Sequence, residues 1–161
     1  MAAAHRVLPA ARTIYRIGDP RGRYPIYSGE GARRIAGRWH DKGDAVVYAA
    51  EHLSLAMLEK LVHFSGTLPA GQHYIEITLP VGLPYEIVTP ASLPGWDAAS
   101  HVASRPFGHD WVTSARSAIL LVPSVVVANE NNVVINPAHP AAAGITVSLE
   151  RPIRWDDRLF S

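Results

Sequence analysis

The sequence contains no cysteine, which removes disulfides, thiolate metal sites and a cysteine nucleophile at once. It has no uninterrupted apolar run near the ~18 residues that a membrane-spanning helix needs, so no membrane span is expected. Residues 1–11 are alanine-rich but lack the apolar core of ~7 residues found in a secretory leader, and the expected location is the reducing cytoplasm. An excess of one charge is missing too: 15 basic and 14 acidic side chains leave +1, with no run that could serve as a phosphate-binding footprint. Direct nucleic-acid binding is therefore not expected, and the local cluster Arg33, Arg34 and Arg38 reads equally as a solvated surface. The sequence also lacks HExxH, GxSxG, a P-loop and a glycine-rich dinucleotide fingerprint after a strand. Glu59 and His63 stand four apart without a third ligand, a spacing that suits a helix-surface contact better than a metal site.

What remains is a chain of 161 residues that is 48% apolar, enough for one domain over 1–161. Thirteen prolines and twelve glycines are spread along it, so many short elements joined by turns are expected. Residues 13–17 and 45–49 read as strands, the first by alternation and the second as a short β-branched run. The loop between them, 18–43, is glycine-rich, with at most one helical turn at 32–36; loops this long in a compact domain are usually functional or disordered. Residues 53–64 carry apolar side chains at helical spacing, which places Ala56, Glu59, Lys60 and His63 on a minority polar arc. Strict alternation over 73–79 predicts a half-buried strand, with 83–88 pairing nearby. A helix over 96–105 is expected to stop at Pro106, followed by a short helix over 108–116. Strands are expected at 118–122, 125–128, 133–135 and 145–149. Short strands with two or three helices and no regular βαβ alternation predict an α+β domain.

The candidate chemistry is weak residue by residue. Arg16 shares a strand face with Ile14, and a planar guanidinium there needs an anionic partner, either a phosphate or a structural carboxylate. Tyr48 reads as a core aromatic, Glu59 as a solvated helix residue, and Ser124 as a turn residue whose hydroxyl bonds the backbone. Arg38 beside Trp39 reads as a guanidinium stacked on an indole.

Their order along the chain carries more information. Tyr15-Arg16, Gly29-Glu30-Gly31-Ala32, Gly37-Arg38-Trp39, Val46-Val47-Tyr48-Ala49, Leu55-Ala56-Met57-Leu58-Glu59, Val122-Pro123-Ser124, Asn136-Pro137-Ala138-His139-Pro140 and Trp155-Asp156-Asp157-Arg158-Leu159-Phe160 together resemble the RES domain, over nearly the whole chain. The family's arginine, glutamate and serine correspond to Arg16, Glu59 and Ser124, with Ser114 and Ser117 close enough to compete for the serine role. Arg38 and Tyr48 match further positions; His40 stands where RES domains often have Asn, and Ile17 where some have Tyr.

The resemblance implies an ADP-ribosyltransferase fold similar to diphtheria toxin. It also implies the toxin role in a RES-Xre toxin-antitoxin pair, neutralised by an Xre-type antitoxin. The implied activity consumes NAD⁺ as substrate by breaking its nicotinamide-ribose bond. NAD⁺ depletion by hydrolysis or phosphorolysis is the first expectation, transfer of ADP-ribose to a host protein the second, and an inactive interaction module with the same fold the third. In this scheme Glu59 stabilises the ribose cation, Arg16 and Arg38 grip the diphosphate, Tyr48 stacks on the nicotinamide or its ribose, and Ser124 orients Glu59 or the ribose. Gly29, Gly31 and Gly37 let the backbone approach the ligand.

Overall fold

Residues 6–161 are described by a computed structural model of the chain; residues 1–5, the start of the segment considered for a leader, lie outside the described part. The strands are β1 (Arg6–Val7), β2 (Arg12–Gly18), β3 (Val47–Ala50), β4 (His73–Leu79), β5 (Pro84–Ile87), β6 (Ile119–Pro123), β7 (Asn131–Ile135), β8 (Thr146–Val147) and β9 (Arg151–Pro152). They form one sheet in the order β1-β5-β6-β7-β3-β2-β4-β8, with β9 also on β4. All pairings are antiparallel except β5 with β6. Two helices, α1 (Leu53–His63) and α2 (Ser104–Ser114), pack on it. The α+β expectation holds. Among the described residues no helix is long and apolar enough to cross a membrane.

The centre of the sheet explains the continuous apolar runs. Every residue of β6 is buried, because Ile119 and Leu121 enter one core cluster and Leu120 and Val122 enter another on the opposite face. Val133 and Ile135 of β7 join the first cluster, and Val134 joins the second with Trp39, Trp96 and Trp111. Leu55 and Ala56 attach α1 to Ile17 and Ala50, forming a third, smaller cluster.

Three local expectations are corrected. Residues 96–105 do not form a helix ended by Pro106; α2 begins at Ser104 and runs through Pro106. The proline sits in the first helical turn, where its missing N–H has no partner to lose. Residues 125–128 are not a strand, because the Ser124 hydroxyl accepts the N–H groups of Val126 and Val127, at 3.1 Å each, and wraps this apolar run into the β6–β7 turn. The strand expected at 83–88 does not pair with its sequence neighbour β4; it lies across the sheet between β1 and β6.

Candidate active site

The feature that creates a site is a split in the sheet. β2 pairs with β4 along its full length but meets β3 only at Tyr15 and Ala50. Beyond that point the strands diverge, and the Arg16 guanidinium enters the gap: Nε donates to the Ile26 carbonyl at 2.6 Å and Nη1 to the Tyr48 carbonyl at 2.8 Å. A side chain thus supplies contacts that a backbone ladder would otherwise make. Burial holds this guanidinium below its ordinary pKa, yet it stays charged. Among the described residues its Nη2 makes no hydrogen bond, which leaves that edge free for a ligand.

A cleft of about 610 Å³ opens at the split, within the ~300–1,000 Å³ usual for small-molecule and cofactor sites. Arg16 and Tyr48 stand on its strand side, Arg38 on the long loop, and Glu59 on α1. The minority polar arc of that helix, Ala56, Glu59, Lys60 and His63, faces the cleft as a group. The arc therefore lines a cavity instead of an open surface.

The Glu59 carboxylate is held on one oxygen only. Its Oε1 accepts from the Ser124 hydroxyl at 2.9 Å and from Asn132 Nδ2 at 2.8 Å, whereas Oε2 has no hydrogen bond among the described residues. Ser124 is fully buried, and its oxygen already accepts two backbone N–H groups, so its own proton is directed to Glu59. That arrangement suits an orienting group and leaves no activated lone pair for a nucleophile. Ser114 and Ser117 do not reach Glu59: the Ser114 hydroxyl donates to the Trp111 carbonyl, and the buried Ser117 hydroxyl bridges Trp111 Nε1 and the Ile119 carbonyl.

Arg38 is not stacked on Trp39. Its Nη1 donates to the carbonyls of Trp96 and Ala98, at 3.0 Å each, and the Trp39 indole stacks on Trp96 instead. Tyr48 is anchored through its hydroxyl, which accepts the Trp39 N–H at 3.2 Å and meets His40 Nδ1 at 2.6 Å. The other nitrogen of His40 lies 2.9 Å from the carbonyls of both Ala32 and Ile35 and must donate, so Nδ1 accepts the tyrosine proton. Burial raises the Tyr48 pKa and keeps the phenol neutral.

The glycines divide. Gly37 lines the cleft, and a Cβ there would lie 2.6 Å from His40 Cε1 and 3.1 Å from the Tyr48 hydroxyl. Gly29 and Gly31 do not line it; the space a Cβ would need at Gly29 is filled by Ala45 and the Val46 backbone.

Sequence reasoning missed several groups. Asn132 falls outside the strands expected at 125–128 and 133–135, and only its position on β7 reveals its partner. Lys60 lines the cleft beside Glu59, its ammonium pushed down by burial and by Arg16 and pulled up by Asp19. His101 lines the cleft with a left-handed φ of 57°, and its Nδ1 lies 2.8 Å from Arg105 Nη2. Desolvation, then Arg38 and Arg105, lowers its pKa and favours the neutral ring. Lys60 was on the polar arc already, so the arc itself was the available signal.

Comparisons with known proteins bear on the family and the fold. Residues 13–156 match the RES domain model. The chain is 48% identical over 139 residues to the Prs ADP-ribosylating toxin of Sphingobium sp. strain YBL2, covering 83% of this chain and 86% of that protein. It is 35% identical over 140 residues to the Toxin Res of Pseudomonas putida strain KT2440, covering 85% and 94%. Its fold superposes on a chain of the M. tuberculosis MbcT-MbcA toxin-antitoxin complex with a TM-score of 0.69 at 18% identity, over 90% of this chain and 85% of that one.

Proposed function

The chain belongs to the RES-domain family and is a RES-type toxin, and from that premise we propose that it breaks the nicotinamide-ribose bond of NAD⁺. One observation carries the reading: among the described residues a carboxylate fixed through Oε1, with Oε2 unpartnered, faces a cleft that also contains two arginines with uncommitted donors.

Cleavage leaves the bonding electron pair on the departing nicotinamide, and positive charge grows on the ribose in an oxocarbenium-like transition state. Oε2 of Glu59 is the group that stabilises this charge. Being held in advance, it costs no reorganisation as the charge forms. Arg16 Nη2 and the free edge of Arg38 hold the diphosphate, so that binding energy fixes the sugar against the carboxylate. Tyr48 packs against the nicotinamide end, and Ser124 orients Glu59.

The acceptor forms the new bond to the ribose carbon and releases a proton. Water or phosphate as acceptor gives NAD⁺ depletion. Transfer to a protein is a second reading, supported by the 48% identity to a toxin named for ADP-ribosylating Prs. We place the activity in the cytoplasm, under an antitoxin of the Xre type that covers the cleft. The exposed Leu58, Val62 and Val125, the last two at the cleft itself, offer such a protein an apolar rim.

The test is to incubate the pure protein with NAD⁺ labelled on the adenine side, with and without phosphate or cell extract. Nicotinamide release is the expected result; label entering a protein band marks transfer, and labelled soluble product marks depletion. Absence of nicotinamide release under every condition would overturn the reading.

A further inference from the structure

Asn132 is the unassigned member of the cluster around Glu59. It stands on β7, where its backbone pairs with Ala50 of β3 on one side and Val122 of β6 on the other. That is the middle of the sheet, next to the fully buried Val133. Its side-chain nitrogen lies 2.8 Å from the same Glu59 oxygen that Ser124 holds. The contact spans 73 residues of sequence and joins a sheet strand to α1.

We infer that Asn132 is a positioning residue: its amide, with the Ser124 hydroxyl, fixes Oε1 of Glu59 so that Oε2 is presented to the substrate sugar. This rests on the proposed role of Glu59. The two donors approach from different elements, and that division matters. Ser124 lies in the β6–β7 turn, whereas Asn132 is tied into the ladder on both sides. One donor alone leaves the carboxyl free to rotate about its terminal torsion, which is broad and roughly two-fold; two donors on one oxygen remove that freedom. Both donors are neutral, so the carboxylate keeps the charge that a cationic transition state requires.

Two variants separate this role from space filling. Asn132→Ala removes the donor; Asn132→Asp keeps the size but puts a carboxylate 2.8 Å from the first one. Two carboxyl groups at that distance share a proton at low pH, and the protonated member can again donate. For Asn132→Ala, kcat for nicotinamide release should fall at least about tenfold while KM for NAD⁺ changes less than about threefold. For Asn132→Asp, kcat should fall further at neutral pH, and its ratio to wild type should recover between about pH 7 and pH 5. Circular dichroism and melting confirm the fold of each variant.

Equal kcat for Asn132→Ala and wild type would overturn the inference, as would an Asn132→Asp ratio that stays flat with pH. If wild type releases no nicotinamide, the proposed reaction fails, and growth arrest on expression then decides Asn132. Loss of arrest in folded Asn132→Ala then supports Asn132 as the group that positions Glu59 for a different reaction in the same cleft, and arrest at the wild-type level overturns it.

Discussion

On one side of the cleft Asn132 stands on a strand whose next three residues, Val133, Val134 and Ile135, have no exposed surface; on the other, Arg38 belongs to the long loop 19–46. The strand side is fixed by apolar burial on both faces of the sheet. The loop side is fixed largely by polar side chains that bond backbone carbonyls: His40 to Ala32 and Ile35, Arg38 to Trp96 and Ala98, Arg105 to Gly37, and Arg16 to Ile26. Three buried apolar side chains add to this, Ile26 in the first core cluster and Trp39 and Val46 in the second. The difference teaches how a glycine-rich segment becomes a rigid wall. A few buried side chains pin it to the core, neighbouring donors satisfy its carbonyls between them, and the same arginines keep other donors for a ligand.

The largest effect is expected at Trp39, the bulkiest of the loop's apolar anchors. Helix α2 packs directly on the Trp39 backbone at Gly108, where an added Cβ would overlap the Trp39 carbonyl. Gly108→Ala should cost about 2–3 kcal/mol in urea unfolding, because the helix or the loop must move. A variant as stable as wild type would show that the close approach is unimportant.

His40→Ala comes next. It strips a buried hydroxyl and two carbonyls of a partner, for a loss of about 2 kcal/mol. It should also weaken NAD⁺ binding, since Gly37 and Tyr48 both lean on that ring. Unchanged stability and binding would mean that the loop is held by its buried apolar side chains without help from His40.

The smallest effect concerns the far end of the loop, where His109 of α2 meets the buried Asp44 at 2.9 Å. The hydrogen bond His109 donates to the Asp44 carboxylate, then the charge of that carboxylate, raises the histidine pKa above its ordinary value of about 6.5. A raised folded-state pKa means that the stabilisation is complete below the ordinary value and is lost as pH climbs through the raised one. The histidine is about half exposed, which limits the contribution to less than about 1 kcal/mol. Melting temperature should therefore decline slightly from about pH 6 to pH 8 in wild type, and less in His109→Gln. Equal slopes in the two proteins would remove this contact from the account.

The same contrast decides what was legible in the sequence. Alternation at Ile75, Ile77 and Leu79 and the helical spacing of Leu55, Leu58 and Leu61 are local signals, and β4 and α1 appear where they predict. The valines after Pro123 were misread because period and composition do not report that one hydroxyl, Ser124, captures the N–H groups a strand would use. Glu59 was legible through family resemblance and Asn132 was not, since the bond between them depends on a sheet register that joins distant segments. The arginines were legible as cations, but their tethers to Ile26, Tyr48, Trp96 and Ala98 are backbone contacts with no sequence signature.

The central claim is that Glu59 acts on the reacting sugar and not on folding or binding. The direct measurement is single-turnover release of nicotinamide from NAD⁺ by wild type and Glu59→Gln, with NAD⁺ affinity measured on both by calorimetry. A rate lower by roughly 10²- to 10³-fold, at an affinity within a few-fold of wild type, is the predicted result. Release by the folded variant at the wild-type rate would contradict it.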